Sequence, residues 1–185
     1  MTRFTLLVYT LVLVGAVGCS ASPETKEEAD VPVTRIGTYD SRAIAVAFVG
    51  SEVYKSTVGK KMVDMMAEYK KAEAEGDKKR VEEVKAWGEA QQALRHRQAF
   101  STAPVDDILE HITDRLPAIK KQADAELLVS KWDEKTLARY RSAERVDVTM
   151  RLVEALKPNE KQKKSAVGIQ EHDPVPLEKM KDHEH

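Results

Sequence analysis

Between Val58 and Ala72 the apolar side chains Val58, Met62, Met65, Tyr69 and Ala72 recur at spacings of four, three, four and three. That period lays them along one seam of a helix in coiled-coil fashion and predicts a helix from about Val53. Gly76-Asp77 interrupts it. A second helix is expected from about Lys78 to Gln98, where Val84, Trp87, Gln91, Leu94 and Gln98 repeat the spacing with a more polar seam. Two such helices about a short break make an antiparallel hairpin. Further on, Ser101-Thr102-Ala103-Pro104 reads as a stop and restart, with Ser101 or Thr102 as cap and Asp106 and Asp107 at the positive end of the next helix. Leu109, Ile112, Leu116, Ile119 and Ala123 give its stripe, and Pro117 within it predicts a kink.

The period is two rather than 3.6 in Val31 to Tyr39 (VPVTRIGTY), which predicts a short strand. Glu126 to Trp132 and Leu137 to Ser142 read as two more strands about a polar Asp133-Glu134-Lys135 turn, and Asp147 to Leu156 as a closing helix capped by Asp147. The fold class expected is α+β: a small β body with a protruding antiparallel helical-hairpin arm, spanning about residues 53–121, inside a domain of residues 31–156. A three-stranded patch buries little core alone, so self-association through the body is expected, with Ile36, Leu127, Leu128, Val129, Val148 and Leu152 in the shared core. Residues 157–185, with Pro158, Pro174, Pro176 and clustered lysines, read as a disordered tail.

The N-terminus reads as an address. Arg3 precedes the uncharged apolar run Leu6 to Val17, the length of a signal h-region and too short for a membrane span of about 20 residues. Ala16-Val17-Gly18-Cys19 follows and resembles the lipobox of bacterial lipoproteins, which implies a signal peptide over 1–18 and lipidation at Cys19. The alternative is an ordinary secretory signal cut after Ala21. Either way the chain is exported. Ser20 beside Cys19 resembles the outer-membrane class of such lipoproteins, and the acidic stretch of residues 19–30 reads as a tether.

Charge and composition narrow the function. With 30 Lys and Arg against 31 Asp and Glu, the formal net charge of −1 gives no excess of basic groups for phosphates, which argues against nucleic acid as a partner. The single cysteine precludes an intramolecular disulfide and any Cys-based metal centre. There is no glycine-rich phosphate loop, no G-x-S-x-G and no H-E-x-x-H, so an enzyme is not expected and no cofactor or metal is implied. Glu110, His111 and Asp114 could share a helix face, with His96 on a separate helix, and His172, His183 and His185 lie among acidic residues in the tail. A solvated surface accounts for both groups more simply than a site does.

Three segments carry a resemblance. Arg35-Ile36-Gly37-Thr38-Tyr39-Asp40 with Gly59-Lys60-Lys61 is the first; Arg97-Gln98-Ala99-Phe100 is the second; the third runs from Ile119-Lys120-Lys121 through Glu126-Leu127-Leu128-Val129 to Val146-Asp147-Val148-Thr149 and Leu152-Val153-Glu154-Ala155-Leu156. Over residues 33–156 the arrangement resembles the Skp/OmpH family of periplasmic chaperones. The resemblance implies a homotrimer joined at its β bodies, holding unfolded outer-membrane proteins between helical arms without ATP. Within the arm, Met62, Met65 and Tyr69 are assigned to the inter-helix seam; Met66, off that seam, and Trp87 are the possible client contacts. The competing reading is a structural or adaptor lipoprotein that docks one folded envelope partner with its arms. A holdase needs scattered apolar groups, whereas an adaptor needs one compact cluster.

Overall fold

A computed structural model describes the backbone of residues 33–183 and the side chains of residues 33–180; the expected signal peptide over 1–18, Cys19 and the expected tether over 19–30 lie outside the described residues. The fold is mixed α+β and mostly helical, built on one small sheet. Strand β1 (Arg35–Tyr39) is central, and β2 (Leu127–Ser130) and β3 (Glu144–Asp147) flank it, both parallel to it. Ile36 sits opposite Leu127 on one side and Arg145 on the other.

Parallel strands need a crossover connection, and the crossovers cover both faces of the sheet. From β1 to β2 the chain runs through α1 (Ser41–Phe48), α2 (Glu52–Tyr54), a π-helical turn (Lys55–Gly59), α3 (Lys60–Glu75), α4 (Lys78–Phe100), α5 (Asp106–Leu109) and α6 (Leu116–Ala123). From β2 to β3 it passes through α7 (Glu134–Arg139). Helices α8 (Thr149–Ala155) and α9 (Glu160–Gly168) follow β3. Alternation along the strands divides the core in two. Tyr39, Leu128, Val146 and Val148 join the larger cluster with Ile44, Phe48, Ile108, Ile112 and Leu152, while Ile36, Leu127 and Val129 pack with Leu137, Ala143 and Tyr140 behind the sheet. Gly37 has a packing reason: a Cβ there would lie 2.8 Å from a Leu128 methyl and 3.2 Å from both methyls of Val148.

Several sequence expectations need correction. Leu137 to Ser142 is not a strand. Asp133 accepts from the Thr136 backbone amide at 3.0 Å and from its hydroxyl at 2.6 Å, and this N-cap starts α7 where a turn was expected. The third strand comes later, at Glu144. Pro117 does not kink a helix; it occupies the first turn of α6, where its missing N–H costs nothing. Neither Ser101 nor Thr102 caps α5, whose N-cap is Val105, although Asp106 and Asp107 do fill its first turn. Residues 157–185 are not a disordered tail as far as they are described: Asn159 caps α9 by accepting from Gln162, and α9 packs on α1 with Ala166 fully buried.

The expected shared core changes too. Ile36, Val129, Val148 and Leu152 are buried within the single chain, because α7 covers one sheet face and α1 and α8 the other; only Leu127 and Leu128 stay half-buried. The premise that a bare sheet must recruit a second copy to cover these residues does not hold for those four.

Candidate functional site

Two places gather chemistry. The first is the carboxyl end of the sheet, where open parallel sheets commonly bind ligands. Asp40 follows β1, Lys131 and Trp132 follow β2, and Thr149 follows β3. The Asp40 carboxylate caps α1 through the Arg42 amide at 3.0 Å and receives Arg42 Nε at 3.1 Å and Nη2 at 2.8 Å, with Lys131 Nζ at 3.4 Å. Its own N–H donates to Thr149 Oγ1 at 3.0 Å. Arg42 stacks over the Trp132 ring, 5.0 Å from the centroid, and its Nη1 donates to the His172 carbonyl at 2.7 Å. Burial alone would push the Asp40 carboxyl up, but the hydrogen bonds and charges of Arg42, with Lys131, hold it below its ordinary value. Beside it, burial pushes the Tyr39 phenol up to about 12, with Asp106 and Asp133 adding to the shift. Both carboxylate oxygens are committed to this chain's own cations and the C-terminal segment lies across the guanidinium. The cluster is therefore a clamp joining three strand ends to the C-terminal segment rather than an open site.

The second place is the helical hairpin. Gly76 ends α3 in the left-handed conformation (φ 73°), a turn that favours glycine, and Asp77 caps α4 by accepting from the Arg80 amide at 3.0 Å. The two helices run antiparallel: Arg80 bonds Glu68 at 2.7 Å, and Lys61 Nζ sits 5.4 Å from the centroid of Trp87. Arg80 holds the Glu68 carboxyl below its usual range. At the base, buried Gln98 donates to the Pro104 carbonyl at 2.8 Å and to Asp107 at 2.6 Å and accepts from Arg95 at 2.6 Å, which ties α4 to α5.

Away from that base the hairpin buries little: Ala72 on α3 and Val84 on α4 are the buried side chains of those helices before Gln98. The helices leave between them a groove of 260 Å³, lined by Met62, Met65, Met66, Tyr69, Val84 and Trp87, with Lys85 and Gly88 at its edge. The sequence reading separated Met66 from Met62, Met65 and Tyr69, yet all four line one groove. Met62, expected in the seam, is 44% exposed, and Met66 is 57% exposed. Positions 62, 65, 66 and 69 fall on one helical face, so a broader stripe than the strict coiled-coil seam was legible. Gly88 went unnoticed. A Cβ there would meet nothing within 4 Å, so no clash excludes a side chain. Glycine in mid-helix costs roughly 0.5–1 kcal/mol relative to alanine, and the packing around Gly88 does not call for it.

The remaining candidates are ordinary. His111 stacks on Phe48 with centroids 5.6 Å apart, and His96 meets Phe100 edge-on at 5.7 Å. Among the described residues no group of three or more His, Cys, Asp or Glu side chains could hold a metal ion, and no helix is long and apolar enough to cross a membrane. No protein-family model, no curated protein and no solved structure matches the chain.

Proposed function

We propose that the protein is an ATP-independent envelope chaperone that holds unfolded outer-membrane proteins through its helical hairpin. The supporting observation is the apolar groove between α3 and α4, floored by three methionines and an indole and open to solvent. Methionine has three soft torsions and a polarizable sulfur, so one groove adapts to many apolar side chains without a fixed shape. An unfolded barrel strand presents such side chains at every second position. The hairpin is slightly basic, with eleven Lys and Arg against eight Asp and Glu from Lys55 to Phe100, which assists approach to acidic clients at low salt.

In this reading the exported chain is anchored by lipid on Cys19, on the periplasmic side of the outer membrane, and assembles as a homotrimer. The half-buried Leu127 and Leu128 on edge strand β2 are the part of the expected shared core still open to a neighbour. The adaptor reading also has a specific observation in its favour, because the groove is one compact cluster of the kind that docks a single folded partner.

Light scattering by a β-barrel protein diluted from urea separates the two readings. The full-length protein is expected to suppress aggregation at several-fold excess without ATP or metal, tolerating Met66→Ala or Trp87→Ala and losing the effect when residues 58–94 are replaced by a short Gly-Ser turn. Failure of the intact protein to delay aggregation, or loss of one specific folded-partner complex on a single substitution, overturns the holdase reading in favour of the adaptor.

A further inference from the structure

We infer that the same groove is a binding site for a soft monovalent cation, copper(I) or silver(I), held by the thioether sulfurs of Met62, Met65 and Met66 beside the Trp87 ring. Half of the chain's six methionines fall within these five positions. Leucine would line an apolar groove with similar volume and equal helix preference, so packing alone does not call for sulfur three times over. Residues three and four apart on a helix have Cβ atoms about 5–6 Å from one another, and the flexible thioether arms let three sulfurs converge on one ion. All three line the same 260 Å³ cavity. The Met62 sulfur already serves as an acceptor, receiving a hydrogen bond from the Tyr54 hydroxyl at 2.9 Å.

The donor set selects the ion. No carboxylate, imidazole or thiolate lines the groove, so calcium, magnesium and zinc find none of their usual ligands there. Thioethers favour soft copper(I) and silver(I). The indole face adds a second attraction for positive charge, and the structure already places a cation on it: the Lys61 ammonium lies 5.4 Å from the Trp87 centroid. A bound ion would take the place of this exposed ammonium. The other positive group at the edge, Lys85, is balanced by Glu82 at 3.4 Å. The remaining repulsion acts on a monovalent ion half as strongly as on a divalent one.

The test uses the full chain with Cys19→Ser in every sample, so that no thiol competes, labelled with 13C at the methionine methyls and titrated with silver(I), which undergoes no redox change. The Met62, Met65 and Met66 methyls are expected to shift together and saturate at one equivalent, while Met150 and Met180 stay in place and zinc leaves the three unmoved. Met62→Leu/Met65→Leu/Met66→Leu should keep the helical circular dichroism and lower silver(I) affinity by about 100-fold, with Met66→Leu alone costing about tenfold and serving as the test should the triple variant fail to fold. Copper(I) affinity, read by competition with a chromophoric chelator, should fall in parallel. Methyl shifts spread equally over all the methionines, or unchanged affinity in the leucine variants, would overturn the assignment. Silver(I) affinity is read with no client present, so a failure of cation binding and a failure of aggregation suppression are distinguishable.

Discussion

Replacing Asp40 with alanine should cost about 3–5 kcal/mol of folding stability, the range expected when one member of a buried ion pair is removed. Asp40 is fully buried and Arg42 is 1% exposed, so the substitution strands a guanidinium that water cannot reach. It also removes the cap of α1. Urea unfolding followed by circular dichroism measures the loss. Adding Arg42→Met to Asp40→Ala should recover part of it, because the stranded charge goes too, whereas a loss below about 1 kcal/mol would show that the pair is not the clamp described. The pH dependence has a fixed sign. The folded-state carboxyl titrates below its unfolded value, so its contribution is complete above about pH 4 and is lost as pH falls through the lower folded value. Asp40→Asn has no carboxyl there to protonate, and its stability should decline less steeply as pH falls below about 4.

Ending the chain at Leu156 should be at least as damaging, with a loss on the order of 4–6 kcal/mol against a total that is typically about 5–15. Helix α1 is buried along almost its whole circumference, and α9 supplies one of its walls. Truncation uncovers that wall, and it removes the His172 carbonyl from Arg42 and the 2.8 Å bond from the Val175 amide to the Phe100 carbonyl. The shortened chain should melt at least about 10 °C lower or aggregate on expression. A chain of residues 31–156 that melts with the full-length protein would show that the C-terminal segment is dispensable.

These residues explain what could be read from the sequence and what could not. The hairpin was legible because its period of 3.6, the Gly76 break and the Asp77 cap all point the same way. The segment SRAIAVAF gave no such signal: a helix buried all round carries no polar face, so its continuous apolar run resembles a strand core as much as a helix. Helix α7 was hidden by the β-branched and aromatic residues beside it, although Asp133 with Thr136 three positions later is a cap pattern. Helix α9 was hidden because Ala166 and Ile169 are too sparse to mark a stripe among lysines, and only Asn159 betrays its start. Parallel pairing was also out of reach, since four- and five-residue strands cover both faces with side chains from distant helices. At the groove, Met66 and Trp87 were singled out by residue type, and both line it. Gly88, which also lines the groove, was missed because a glycine carries no side chain to mark a stripe.

The claim on which the functional account turns is that the hairpin groove, and not the body, meets unfolded clients. A photo-reactive amino acid placed at Met66 tests it against the same label at Val167, a comparably exposed apolar position on α9 at 48%. With a urea-unfolded β-barrel protein, Met66 should give strong crosslinks and Val167 few, and the folded barrel should crosslink to neither. Equal labelling at the two positions, or crosslinks from Met66 to one folded partner alone, would contradict it.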